Sequence, residues 1–459
     1  MICGVTGSRL AVILLAAACV VAVASLVLRA DGFCRDSLQV EFSTYYAAGE
    51  ALNCGLSPYV NNVDHVPPIW DGLDRYRHSR FLYPPLAATL FRAFALLPYA
   101  TAKVIWTILN ALFVAAAIYA AAKASGAARG WRGLTLIAFA ATYYPVALLL
   151  ERGQIDGATM LLLALALPLA MASGSRRQFG AGLLLAAAAL LKLHCVYLVP
   201  FLLVRGRWRA AVGLAVGLIA LAGLTPLVSG PQATSDYLRH ELPRISRWGE
   251  AGDAASLLPP DVLPRLRAGL PEQWTRQGDG VYRKTTVTID ANATLGRLLV
   301  PHDADEVPLV SPSLVSLACM ACFFGIILAW QRKCVGAEPL TPLQELAYWE
   351  AVLAAILLAA PLTWAMNAVW LIPAVLVPLS LIRRGQSRET LLLVALCLFG
   401  LALAALPDPA YFKLLWPDGT RHFGAKYVLA EACVFTSLAM LVPRIGRTGS
   451  PDQGEKATL

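Results

Sequence analysis

RLAVILLAAACVVAVASLVL, residues 9–28, is apolar after Arg9 except for Ser25. It has the length, about 20 residues, that a helix needs to cross a hydrocarbon core of roughly 30 Å. A secretory signal has a shorter apolar run, of about 7–15 residues. More apolar stretches follow here, so the segment reads as an uncleaved signal anchor. The rest of the composition agrees. Of 459 residues, 58% are hydrophobic and only 15% charged, which excludes a soluble domain and sets the class as a polytopic membrane protein. The net charge of +9 is then no nucleic-acid signal. In a membrane chain, excess Lys and Arg mark the cytoplasmic loops.

Six basic clusters set the expected topology: Lys123/Arg129/Arg132, Arg176/Arg177, Arg205/Arg207/Arg209, Arg332/Lys333, Arg383/Arg384/Arg388 and Arg444/Arg447. Placing them all inside, with both termini, predicts about ten full spans, near 9–28, 101–122, 133–150, 157–173, 209–229, 309–330, 345–362, 365–382, 389–406 and 425–443. The outer side then receives a loop at 29–82, a turn at 151–156, a segment at 230–308 and a loop at 407–424. Residues 83–97 are too short to cross and read as an outer, partly inserted helix opened by Pro84-Pro85. Residues 179–204 lie between two basic loops that both belong inside. A re-entrant helical pair with its apex near Lys192 satisfies that charge rule, and irregular backbone at such depth must be buried or line a wet cavity. The alternative is one long span with a basic loop stranded outside.

Three units result: an N-terminal membrane module (1–229) with the outer loop 29–82, an extracytoplasmic segment (230–308) and C-terminal transmembrane helices (309–443). A polar tail at 444–459 follows. The 230–308 segment is rich in Pro, Arg and Gly at first, then carries a strand-like TTVTI at 285–289. Of ten cysteines, only Cys34 and Cys54 fall outside in this scheme, and they bracket Glu41 as a disulfide candidate. Cys319 and Cys322 form a CxxC without a second pair, which is no metal site.

The loop after the first span reads EFSTYYAAGEALNCGLSPY from Glu41 to Tyr59. Its Glu41–Gly49 run, with Gly55 and Pro58-Tyr59, resembles the first outer loop of glycosyltransferase family 87. These are polyprenol-phosphate-mannose-dependent α-mannosyltransferases with the GT-C membrane fold. The resemblance continues in order at Tyr83-Pro84-Pro85, Gly153-Gln154, Lys192, Asn292-Ala293-Thr294-Leu295 and Pro361-Leu362-Thr363-Trp364. It implies a GT-C-type transmembrane helix bundle and a transfer of a sugar, mannose in the family, from a polyprenyl-phosphate donor to a hydroxyl on a glycolipid or glycan. Two positions depart from the family. The loop acid, Asp in the family, is Glu41 here, and Met366 and Asn367 stand where paired histidines are frequent. The second departure removes hydrogen-bonding or base roles expected there.

Chemistry asks for the same parts. The acceptor hydroxyl needs a base, for which Glu41 is the first candidate and Asp36 the rival. The departing phosphate needs cations, for which Lys192, Arg152, Arg80 and His194 are available. An intramembrane lysine is costly enough to suggest function, although a lysine snorkelling from a helix end is the plainer reading. Tyr45, Tyr46, Gln154, Asp156, Asn292 and Trp364 are candidate sugar or acceptor contacts. Tyrosines are also common in the interfacial belt, Glu151-Arg152 is equally readable as a surface ion pair, and His194 as a satisfied buried histidine. An inverting transfer is expected, with an α-linked product from a β-linked donor and no cofactor or metal. The contrasting reading is a transporter or flippase, which also uses broken helices and mid-membrane cations. Transporters show symmetric halves, whereas the polar residues here gather on the outer side.

Overall fold

A computed structural model describes residues 3–36, 39–59, 81–243, 294–295, 312–330, 332, 339–382, 386–407 and 425–445. The expected sites Arg80 and Asn292, the strand-like 285–289 and most of 230–308 lie outside the described residues. All regular structure among the described residues is helical. The elements are α1 (Cys3–Asp36), α2 (Val40–Asn53), α3 (Tyr99–Ser125), α4 (Trp131–Thr142), α5 (Tyr144–Arg152), α6 (Asp156–Met171) and α7 (Ser175–Leu191). A 3-10 turn (Leu193–Tyr197) leads into α8 (Leu198–Val204), followed by α9 (Trp208–Val228), α10 (Pro312–Trp330) and α11 (Pro342–Ala359). An irregular 3-10 segment (Ala365–Val375) then runs into α12 (Leu376–Leu381), ahead of α13 (Arg388–Ala405) and α14 (Ala425–Ile445).

Among the described residues, six helices are long and apolar enough to cross a membrane: α3, α9, α11, α13, α14 and Leu10–Arg35 of α1. A seventh is reached if α4 and α5, bent by 48° to each other, count as one. Full-length helices among the described residues thus account for six or seven of the roughly ten expected spans. The physical reason is local. Pro145 follows the bend at Tyr143, as prolines do at kinks. Pro373 interrupts the segment expected at 365–382, which is 3-10 over its first 11 residues. The stretches expected at 157–173 and 309–330 form shorter apolar helices, Asp156–Met171 and Leu314–Trp330.

Helix α11 is the centre of the core, buried on all sides from Glu345 to Ala359. Its start is dictated locally: Thr341 caps the Gln344 amide, Gln344 answers on the Thr341 amide, and Pro342 takes the first helical position, where no amide donor is needed. α14 packs on it and on α13, α6 lies between α3 and α7, and α1 packs on α4.

Glycines set the packing of α7 on α9. A Cβ on Gly182 would meet the Ala210 carbonyl and the Leu214 amide, one on Gly213 the Phe179 carbonyl, and one on Gly217 the Ala186 side chain. The contacts advance together along both helices, so α7 and α9 run parallel. The chain between them, Lys192 to Arg207, must then return along the bundle. Arg207 accordingly reaches the Met171 carbonyl at one end, while Lys192 sits at the other with the first residue of α6.

Candidate active site

Four helix ends converge on this site, and each brings a charge that suits its own dipole. Glu41 lies in the first turn of α2 and Asp156 opens α6. Arg152 lies in the last turn of α5, and Lys192 caps the C-terminus of α7 in an extended conformation. Acids at helix N-termini and cations at C-termini are the favourable arrangement. They pair across the elements. Arg152 Nη2 lies 3.0 Å from Glu41 Oε1, and Lys192 Nζ lies 3.2 Å from Asp156 Oδ2. The second pair is fully buried, whereas Arg152 keeps about a third of its side chain exposed.

Between the two pairs stands a hydroxyl–amide cluster. Tyr45, one turn after Glu41 on the same face of α2, donates to Gln154 Oε1 at 2.9 Å, and Tyr83 donates to the same oxygen at 3.1 Å. The two phenol oxygens are 2.8 Å apart. The Lys192 ammonium lies over the Tyr83 ring, 5.4 Å from its centroid, a cation–π distance. Burial pushes the Tyr45 phenol well above its ordinary range, with the neighbouring Tyr83 and Glu41 adding to the effect. Burial raises Tyr83 too, partly offset by Lys192. Both phenols are therefore held as proton donors. Tyr83 is in electrostatic reach of Lys192, Glu41 and Asp156 together, which makes one site of the two pairs.

The turn that carries Gln154 is clamped from α3. Trp106 Nε1 donates to the Gly153 carbonyl at 2.7 Å and Asn110 Nδ2 to the Gln154 carbonyl at 2.8 Å. These residues are four apart, hence on one helix face. Gly153 has φ +69°, and a Cβ there would lie 2.6 Å from Phe42 Cβ, so both conformation and space require glycine. Gln39 fixes the entry to α2. It is fully buried, has φ 53°, and donates through Nε2 to Thr107 Oγ1 (2.7 Å) and the Leu150 carbonyl (3.1 Å). A non-glycine residue in this region costs of order 1–3 kcal/mol and persists where the surroundings enforce it. Here they enforce it two residues before Glu41.

The expected residues thus fall into groups. Glu41, Tyr45, Arg152, Gln154, Asp156 and Lys192 come together. Tyr46 does not join them: its hydroxyl donates to the Leu97 carbonyl at 2.7 Å, within an aromatic cluster with Phe42 and Tyr99. Asp36 ends α1. His194 follows Lys192 in the 3-10 turn with its ring 5.0 Å from Trp370, and its buried Nε2 has no hydrogen-bond partner among the described residues. Trp364 is half-buried at the head of the 3-10 segment, its amide donating to Asn367 Oδ1 at 2.6 Å.

Two expectations are corrected. Asn367 does not lose its hydrogen-bonding role: fully buried, it donates through Nδ2 to Asp156 Oδ1 and so orients the acid that holds Lys192. Met366 beside it is a buried apolar contact. Cys34 and Cys54 are free thiols. Cys34 lies in the last turn of α1 and Cys54 caps the far end of α2, whose 14 residues span about 21 Å. A disulfide tolerates a Cα separation of about 7 Å at most.

Residues 81–268 match the model of glycosyltransferase family 87. The chain is also similar to the polyprenol-phosphate-mannose-dependent alpha-(1-2)-phosphatidylinositol pentamannoside mannosyltransferase of Mycolicibacterium smegmatis. The two are 25% identical over 360 residues, which cover 76% of this chain and 74% of that protein.

The matched region holds Tyr83, the Trp106–Asn110 clamp, the Arg152–Asp156 turn and Lys192, while Glu41 and Asn367 come from outside it. Sequence reasoning missed the supporting residues Gln39, Trp106 and Asn110, and singled out Asn367 only as the loss of a role. Asn110 had a visible signal, an amide inside an apolar helix. Gln39 had none, because its role depends on a backbone angle. Among the described residues no three His, Cys, Asp or Glu side chains gather as metal ligands.

Proposed function

We propose that this membrane glycosyltransferase transfers a mannosyl residue from a polyprenyl phosphate to a hydroxyl of a glycolipid on the outer face, with inversion, and that Glu41 is the base. The donor class follows the name of the mycobacterial relative. The observation that carries the reading is the pairing of two acids and two cations around Tyr45, Tyr83 and Gln154. Glu41 takes the acceptor proton as the hydroxyl oxygen bonds to the anomeric carbon. The bond from that carbon to the phosphate oxygen breaks on the opposite side, and its electron pair leaves with the lipid phosphate. The phosphate gains negative charge in that step, so fixed cations stabilise the transition state more than the bound donor. Lys192 and the part-exposed Arg152 supply them. Because the site is neutral before the donor arrives, the extra charge falls on cations already oriented by their acids. A β-linked donor then gives an α-linked product.

Both termini are inside in this reading, and the stretch from Ser175 to Val204 is a re-entrant pair whose apex presents Lys192 to the outer side. The test is Glu41→Gln in purified enzyme supplied with polyprenyl-phosphate mannose and a glycolipid acceptor. Transfer should fall by at least 100-fold, while donor binding persists. Near-normal turnover in Glu41→Gln, with loss in Asp36→Asn, would move the base to Asp36.

A further inference from the structure

Away from the active site, α3, α6, α11 and the 3-10 segment enclose a small cavity, lined by Ala121, Met160 and Leu163 together with Glu350 and Trp370. Apart from the Trp349 indole the other lining residues are apolar, yet two of the lining side chains carry polar atoms without hydrogen-bond partners among the described residues, Glu350 Oε2 and Trp370 Nε1. Both residues are almost completely buried, at 2% and 1% exposure. Leaving buried polar atoms unpaired costs about 1–3 kcal/mol each, and native proteins satisfy nearly all of them.

The cavity volume is about 10 Å³, which is about the room one water needs. The chemistry of the two groups is complementary through such a molecule. An indole N–H only donates and a carboxyl oxygen accepts. An apolar guest leaves both unsatisfied, and a cation meets a repelling N–H on the Trp370 side. We propose that this cavity is a water-binding site, in which one water accepts from Trp370 Nε1 and donates to Glu350 Oε2. The site makes the Trp370 indole a fixed wall. The His194 ring lies 5.0 Å from that indole, two residues beyond Lys192. The bound water therefore braces the 3-10 turn that follows the lysine, whatever chemistry the lysine serves.

High-resolution electron cryomicroscopy of the full chain in lipid nanodiscs tests this directly. The wild type should show a single peak within hydrogen-bond distance of both atoms. Glu350→Gln keeps an acceptor oxygen and should retain the peak, whereas Glu350→Leu should lose it. An empty cavity in the wild type, density touching only one of the two atoms, or a direct Trp370–Glu350 bond overturns the proposal. So does a peak that survives in Glu350→Leu. The wild-type map decides even where a variant fails to fold.

Discussion

Lys192 was legible as the most suggestive of the candidate cations, because an ammonium inside an apolar run demands an explanation. Its partner was not legible. Asp156 lies 36 residues before it and Asn367 175 residues after it, and no periodicity reports which buried acid faces which buried cation. The sequence therefore shows Lys192 without a partner and offers Arg152 only its neighbour Glu151, while the fold pairs them with Asp156 and Glu41. This distinction yields a test. Lys192→Ala leaves Asp156 buried without a counter-charge, a change that typically costs about 3–5 kcal/mol. Replacing both members, as in Asp156→Asn with Lys192→Met, removes the stranded charge and should recover most of that stability, read as thermal unfolding in detergent. If the lysine also serves the donor phosphate, the double variant should still bind polyprenyl-phosphate mannose at least tenfold more weakly than the wild type. Recovery of both stability and donor affinity would confine Lys192 to a structural role.

Helices were legible where a long apolar run had clear ends, as in α1, α3, α9, α11, α13 and α14. They were less so where proline and 3-10 geometry shorten the element, as at Tyr143-Tyr144-Pro145 and from Ala365 to Val375. An apolar count sees the same hydrophobicity in a broken segment as in an intact one. The parallel contact of α7 with α9 is another feature that counting misses, since it rests on the absence of side chains at Gly182, Gly213 and Gly217. Gly182→Ala would put a Cβ 2.1 Å from the Ala210 carbonyl oxygen, and backbone on both sides leaves nothing soft to yield. The helices must separate, so we expect a loss of about 1–3 kcal/mol together with a drop in transfer activity, because α7 carries Lys192. Gly180 on the same helix faces open space. There, alanine should be neutral or stabilising by roughly 0.5–1 kcal/mol through helix propensity. Equal unfolding temperatures for the two variants would refute the tight α7–α9 contact.

At the scale of the whole molecule, the charge distribution and the packing make the same statement about topology. Arg205 and Arg207 both pair with Glu345 at the start of α11, at 2.9 and 3.1 Å, and Arg207 also reaches the Met171 carbonyl at the end of α6. The basic residues at 176–177 stand at the start of α7, directly after that end of α6. One end of the bundle thus gathers two of the basic clusters, and the Lys192–Asp156 pair marks the opposite end. If cytoplasmic loops carry the excess of Lys and Arg, the chain enters and leaves on the same side between Ser175 and Trp208. Single cysteines at two exposed positions, Arg176→Cys and Trp208→Cys, test this in a background without other thiols. An impermeant maleimide should reach both only from the cytoplasmic side of oriented vesicles. Native Cys54, exposed at the end of α2, retained alone in a third variant, should react only from the other side, where the proposed active site opens. Labelling of positions 176 and 208 from opposite faces would mean that the chain crosses once between them. The apex carrying Lys192 would then be an interior point of an ordinary span, and the lysine would lose its access to a donor phosphate arriving from outside.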